Sequence, residues 1–160
     1  MSVSGSMSSD LVISGDPLGS YSHIVQMFEA GLGHTPSAAT LTSMNASNLS
    51  DAQLAAAFVS SQAFANVNNE GVLLNPDAPV SPTVVDSLFQ NTLGHFPTAA
   101  TLAGFEGLTN AQAFWAFALS DTVSSVVGNE VNTYVQDYAH AEGIIPTIVG
   151  TGDVDLFNIG

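Results

Sequence analysis

The sequence predicts an all-α protein made of two tandem copies of a three-helix unit plus a long C-terminal helix. Residues 32–41 (LGHTPSAATL) recur almost unchanged at residues 93–102 (LGHFPTAATL). Apolar residues around both stretches are spaced three or four positions apart, which is the period of an amphipathic helix. Apolar residues of all kinds make up 46% of the 160-residue chain. This share is too large for a disordered protein and is enough for one packed core.

The repeat divides the chain into five predicted segments. Residues 1–15 are rich in Ser and Gly and are expected to form a flexible arm. Residues 16–67 form the first helical repeat, and residues 68–80 form a linker. Residues 81–143 form the second repeat with an extended terminal helix, and residues 144–160 form a tail.

The first repeat is predicted to contain three helices. An Asp-Pro pair within residues 16–20 opens the first helix, and Gly33 ends it as a left-handed cap. Pro36 starts the second helix at its first turn. Ser50 begins the third helix through a capping box with Gln53, in which each side chain satisfies a backbone N–H of the other residue. The apolar faces comprise Ile24, Met27, Phe28 and Leu32, then Ala38, Leu41 and Met44, then Leu54, Ala57, Phe58 and Phe64.

The linker is predicted from its composition. Two Pro, a Gly and several Asn within residues 68–80 interrupt any helical period. The apolar run at residues 72–74 (VLL) is expected to pin this segment to the core.

The second repeat contains the same helix start and stop signals as the first. Pro82 opens its first helix behind a Ser, and Gly94 and Pro97 repeat the break. Thr109 and Gln112 repeat the capping box. The residues expected on the first helix face are Val85, Leu88, Phe89 and Leu93.

After the second capping box the two copies diverge. Residues 114–119 (FWAFAL) are apolar nearly all round, so they predict a helix that is buried on several sides. An apolar stripe continues beyond them, which predicts that this helix runs across Gly128 into a long terminal helix ended by Gly143. The stripe comprises Val123, Val127, Val131, Tyr134 and Tyr138.

The repeated stretch is interpreted as a helix corner. Gly stops one helix, Pro starts the next, and the flanking Leu packs against the core. The six corner residues are Leu32, Gly33 and Pro36 in the first copy, and Leu93, Gly94 and Pro97 in the second.

The charge balance is extreme, with no Lys or Arg against 14 Asp and Glu, a formal net charge of −14. No Lys or Arg salt bridge can therefore form within the chain. Phosphate-backbone binding and attraction to an anionic bilayer lack their usual basic donors. We expect neither nucleic acid nor an acidic membrane surface as a partner.

The sequence predicts neither disulfides nor a cleaved N-terminal signal peptide. There is no Cys, which excludes disulfides and thiolate metal sites. Residues 1–15 carry no basic residue and only a short apolar run, so no cleaved signal peptide is expected. No apolar run approaches the roughly 18 residues of a transmembrane helix.

With its corners and capped helices, the repeat resembles a repeat domain of unassigned molecular function in bacterial exported and surface proteins, many of them type I secretion substrates. The resemblance covers roughly residues 21–64 and 84–123. It rests on Leu32, Gly33, Pro36, Ala38, Ala39 and residues 57–61 (AFVSS), and on Leu93, Gly94, Pro97, Ala99, Ala100 and residues 116–118 (AFA).

The chain is also similar to the helical cell-anchoring region of alphaproteobacterial surface-layer (S-layer) proteins. That resemblance implies lipopolysaccharide attachment and calcium in the lattice. The pattern departs from the family where basic residues often follow Leu-Gly, since His34 and His95 stand there. Thr40 and Thr101 replace a usual Gly, and the chain has no long calcium-binding repeat region.

The sequence contains weak signals for two metal sites. His34 and His95 occupy equivalent positions and could bind a divalent metal with His23, His140 or a carboxylate. Alternatively, each of the two corner histidines follows a helix C-terminus, where its positive form favours the helix dipole. Separately, Asp153 and Asp155 faintly echo a calcium-binding glycine–aspartate repeat. The alternatives for this tail are an uncleaved export signal and an unstructured segment.

These observations predict an exported extracellular or cell-surface structural protein. We expect it to self-assemble as a homo-oligomer into a layer, filament or matrix, with calcium as the cation that would bridge its exposed acids. The alternative is a non-catalytic module that binds surface polysaccharide or lipopolysaccharide. No nucleophile elbow or Ser-His-Asp arrangement is recognisable, so we do not expect an enzyme.

Overall fold

The computed structural model describes residues 18–144. The predicted N-terminal arm, and all of the predicted tail except Ile144, lie outside this range. Within it the chain forms eight α-helices, and its only β-type pairing is an isolated bridge between Pro79 and Thr109. The helices are α1 (Gly19–Leu32), α2 (Ala38–Ala46), α3 (Asp51–Val59), α4 (Gln62–Asn68), α5 (Pro82–Leu93), α6 (Ala99–Ala103), α7 (Asn110–Ala118) and α8 (Asp121–Ala141). The all-α prediction is confirmed.

The two corners have the same backbone geometry. Gly33 follows α1 with φ 81°, and Gly94 follows α5 with φ 80°. Each glycine N–H donates to carbonyls of the preceding turn, a left-handed cap that a residue with a Cβ adopts only with strain. At both corners the next helix then begins within a few residues.

The role predicted for Pro36 at the first turn of α2 is wrong. Ser37 is the N-cap of α2, since its hydroxyl accepts a hydrogen bond from the Thr40 N–H, and Pro36 precedes that cap. Thr98 caps α6 in the same way. A hydroxyl can satisfy a free helix N–H and Pro cannot, so the residue after each Pro sets the helix start.

Both predicted capping boxes are present. The Ser50 hydroxyl accepts from the Gln53 N–H, and the Gln53 side chain accepts from the Ser50 N–H. Thr109 and Gln112 make the same reciprocal pair at the start of α7. Each N-cap is worth about 1 kcal/mol of helix stability.

The third helix of each half breaks where the sequence predicted continuity. Ser61 caps α4 by accepting from the Phe64 N–H, and Ser120 caps α8 by accepting from the Val123 N–H. Ser hydroxyls compete for backbone groups, which makes them good helix starts and poor helix interiors. Helix α8 does cross Gly128, as predicted.

The core is arranged around α1, which packs against α2, α3, α4, α5, α7 and α8. The most extensive helix pairs are α3 with α7 and α1 with α8. Phe114 of α7 lies at the centre, with ring centroids 5.1 Å from Phe64 and 5.8 Å from Phe58. The largest fully buried side chains include Phe64, Phe114, Ile24, Met27, Leu41 and Leu88.

The prediction that α7 is buried on several sides is wrong for Trp115. Its side chain is 39% exposed, while Phe114 and Phe117 on the opposite face are buried. Helix α7 is therefore amphipathic and presents its Trp at the surface.

The linker is held by polar contacts rather than by its apolar run. Val72 and Leu73 are 64% and 59% exposed, so only Leu74 of the predicted apolar pin packs against the core. The buried side chain of Asn110 accepts from the Ser81 N–H and donates to the Asn75 carbonyl. The linker is thereby fastened to the start of α7.

Candidate functional site

The two corner histidines lie in similar surroundings. The His34 ring packs against Phe28 at a centroid distance of 6.1 Å, and the His95 ring packs against Phe89 at 6.3 Å. In each case Nδ1 lies about 3 Å from the carbonyl oxygen of the following residue. The rings are exposed, and each is held by its own corner.

Metal ligands do not assemble around these histidines within residues 18–144. That part of the chain contains no group of three or more His, Asp or Glu side chains placed to hold a metal ion. His23 instead pairs with Asp51, with Nδ1 2.9 Å from a carboxylate oxygen. Asp153 and Asp155 lie outside the described residues.

The unusual polar group of the described chain is Glu29. It lies in the last turn of α1 and is only 8% exposed. Its Oε2 atom is buried and has no hydrogen-bond partner. The carboxyl group of Glu130 on α8 is a neighbour of the Glu29 carboxyl group. Two acidic side chains therefore face each other where the first and last helices pack.

The surroundings of Glu29 disfavour its charged form. Burial raises the pKa of the Glu29 carboxyl to about 7, with further increases from the hydrogen bond and the negative charge of Glu130. The positive form of His34 acts in the opposite direction. Near neutral pH this pair therefore holds a proton that an exposed carboxyl would have released.

The free energy of unfolding should consequently fall as the pH rises through the pKa of Glu29. Its pKa is about 7 in the folded chain against 4.5 for the free side chain, so the folded state binds the proton more tightly. The associated stability is fully present below about pH 4.5 and is lost by about pH 7. Because solvent partly screens the Glu29 carboxyl group, we expect a loss of about 1–2 kcal/mol in the free energy of unfolding.

Urea unfolding in the presence of EDTA, at several pH values, would measure this loss. Glu29→Gln should make the curve flatter between pH 5 and 8 and should raise the unfolding free energy at the alkaline end, by an amount on the order of 1 kcal/mol. An unchanged pH slope in that variant would assign the effect to general repulsion among the acids.

The tyrosines of α8 cover the first corner. The Tyr134 hydroxyl donates to the Pro36 carbonyl, and the Tyr138 hydroxyl lies 2.5 Å from the Thr42 hydroxyl. The Tyr138 ring also packs on Tyr21, with centroids 5.3 Å apart. Burial, followed by the neighbouring Tyr138, raises the pKa of both Tyr21 and Tyr134.

The second corner lies open. Phe96, which stands where the first corner has Thr35, is 65% exposed. Leu102 is only partly buried, whereas its counterpart Leu41 is fully buried. Beside this corner is a cavity of about 330 Å³, lined by Phe89, Leu93, His95, Thr101, Phe105, Ala116, Phe117, Ser120 and Thr122.

Sequence reasoning identified the corners and their histidines but missed the Glu29 and Glu130 pair. A signal was present, because Glu29 follows Val25 by four positions and therefore falls on the apolar face of α1. A carboxyl group at such a position is expected to be buried. Its partner could not be identified without knowing that α1 packs against α8.

Among residues 18–144, no helix combines the length and apolarity needed to cross a membrane. No protein-family model, curated protein or solved structure matches this chain.

Proposed function

We propose that this protein is a non-catalytic structural protein that self-assembles outside the cell, at the bacterial surface or in an extracellular layer, filament or matrix. The observation that supports the proposal is the open second corner around Phe96. Its counterpart in the same chain is covered by a helix.

The proposal treats the chain as two copies of one helical unit. Helices α1 and α5 end in the same glycine cap, and α3 and α7 begin with the same capping box. The ring centroids of Phe28 and Phe58 are 4.9 Å apart, as are those of Phe89 and Phe117. Helix α4 packs on both α1 and α5, and α8 packs mainly on α1. The last helix of each half therefore also contacts the first helix of the other half.

Helices α4 and α8 differ in length. Helix α8 continues to Ala141, so its tyrosines reach the first corner. Helix α4 ends at Asn68 and makes no equivalent contact with the second corner. The shorter α4 thus leaves Phe96 and Leu102 without the kind of cover that α8 gives to Pro36 and Thr42.

A second copy of the chain is the occupant that best suits this corner. An apolar patch that meets the same patch on another molecule forms a self-complementary, twofold contact, the commonest kind in homo-oligomers. Such a contact closes at a dimer, so a layer or filament also requires contacts between dimers. The net charge of −14 opposes such contacts over the rest of the surface. Divalent cations such as calcium would reduce that repulsion and bridge exposed acids of neighbouring molecules.

Sedimentation velocity at increasing protein concentration, with and without millimolar CaCl₂, tests the proposal. Wild-type protein should form oligomers, and Phe96→Ala should remain monomeric under the same conditions because the apolar contact is lost. Val126→Ala is the matched control, since Val126 is also an exposed apolar residue, at 57%, but lies on α8. A wild-type protein that stays monomeric at high concentration with calcium would exclude self-assembly.

Binding of surface polysaccharide is the second candidate function. The cavity beside the second corner has aromatic rings from Phe89, Phe105 and Phe117, with hydroxyls from Thr101 and Thr122 at its lining. Aromatic surfaces beside polar hydrogen-bonding groups suit a sugar ring. Retention of the monomeric Phe96→Ala variant on immobilised outer-membrane polysaccharide would separate this function from assembly.

A further inference from the structure

We propose that Glu29 and Glu130 together bind a hydrated divalent cation between α1 and α8. This site is internal to one chain. It is distinct from the His34, His95, Asp153 and Asp155 candidates and from any bridging of exposed acids between molecules.

The first argument is the unpartnered oxygen of Glu29. Its side chain is more than nine-tenths buried, and Oε2 makes no hydrogen bond. A buried polar atom without a partner costs free energy, so such atoms in folded proteins are normally paired with protein, water or an ion. The neighbouring Glu130 carboxylate offers acceptor oxygens and no positive charge.

The second argument is the local field. Glu29 lies in the last turn of α1, where the helix dipole is negative and where no basic residue is present. The chain has no Lys or Arg to place against the pair. His34 is the neighbouring group that acts on Glu29 with the opposite sign, and its ring is exposed to solvent. Among its described neighbours a doubly ionised pair could draw only on this exposed imidazole, and a bound cation would supply further positive charge.

The third argument is access. Glu130 is exposed, and it lines an open surface pocket of about 420 Å³ together with Thr35, Asn129, Thr133, Tyr134 and Asp137. An ion can therefore approach from the Glu130 side. The buried Oε2 atom of Glu29 is easier to reach for a small ion than for a Lys or Arg side chain of a partner protein.

The donor atoms define the class of ion. Carboxylate, hydroxyl and water oxygens are hard ligands that suit Mg²⁺ and Ca²⁺ rather than Zn²⁺ or Cu²⁺. Mg²⁺ is commonly held by one or two carboxylates and keeps several waters, and Ca²⁺ tolerates irregular oxygen shells. Two carboxylates therefore suffice, although the described residues contain no cluster of three ligating side chains.

Thermal unfolding of the full chain tests the site. The protein is treated with chelator, dialysed at pH 8 and titrated with CaCl₂ or MgCl₂, with ionic strength matched by NaCl. A site of roughly millimolar affinity should raise the unfolding midpoint by roughly 3–5 °C at ten times its dissociation constant. Glu29→Gln and Glu130→Gln should each abolish the rise. Asp86→Asn, which removes one carboxylate from α5, should retain it.

Terbium luminescence supplies a readout independent of stability. Tyr134 and Glu130 line the same pocket, so Tb³⁺ bound at the pair should show tyrosine-sensitised emission that saturates and is displaced by Ca²⁺. A midpoint rise that persists in Glu29→Gln would assign the effect to general screening. No rise beyond the NaCl control would show that the pair is neutralised by protons only. Either result overturns the proposal.

The test does not depend on self-assembly. It can be run at concentrations at which sedimentation shows monomers, and the Phe96→Ala variant should show the same cation response as wild type. Failure of assembly with a normal cation response, or the reverse, distinguishes the two proposals.

Discussion

Replacing Phe114 by Ala should lower the unfolding free energy by about 3–5 kcal/mol, the range for removing a large buried aromatic side chain. The ring is fully buried, contacts the rings of Phe58 and Phe64, and lies against Gly31 of α1. Its removal would leave a cavity where α1, α3, α4 and α7 meet. The total stability of a domain is about 5–15 kcal/mol, so the variant should be close to unfolded at physiological temperature.

Urea unfolding monitored by circular dichroism measures this loss. Phe96→Ala is the control, because its ring is 65% exposed and its removal should change the unfolding free energy by less than about 0.5 kcal/mol. Similar losses for the two variants would contradict the assignment of Phe114 to the centre of the core.

The second large effect is expected at Gly31, where Ala should destabilise the protein by about 1–3 kcal/mol. A Cβ atom at this position would lie 2.9 Å from Cζ of Phe114 and 3.3 Å from Cδ2 of Phe64. Both rings are fully buried, so neither can move without disturbing the core. This steric cost outweighs the gain of roughly 0.5–1 kcal/mol that Ala normally brings to a helix.

Gly128 provides the matched comparison. It also lies within a helix, but a Cβ atom there would have no neighbour within 4 Å. Gly128→Ala should therefore stabilise the protein by about 0.5–1 kcal/mol, through helix propensity alone. Opposite signs for the two glycine substitutions, measured by urea unfolding, are the expected result. A loss at both positions would mean that α8 needs the flexibility of Gly128.

Local signals in the sequence predicted the helix boundaries well. Glycine caps and capping boxes depend on residues within one helix turn, so Gly33, Gly94 and the boxes at Ser50 and Thr109 could be read from spacing. The breaks at Ser61 and Ser120 were missed because an apolar stripe continues across them, although a Ser before a helix turn is itself a local start signal.

Tertiary features could not be predicted in the same way. The exposure of Trp115 and the hydrogen bonds of Asn110 to the linker depend on which helices pack together. The same is true of the Glu29 and Glu130 pair, which joins residues at opposite ends of the described chain. The burial of Glu29 was not predicted from the sequence, and only the fold supplies its counterpart.

The packing of α1 against α8 also determines when the protein can finish folding. The apolar face of α1 is synthesised before the other described helices, yet part of its cover is the last of them, α8. Contacts between distant parts of a chain form late and slow its folding. The protein therefore remains incompletely folded until α8 has been synthesised.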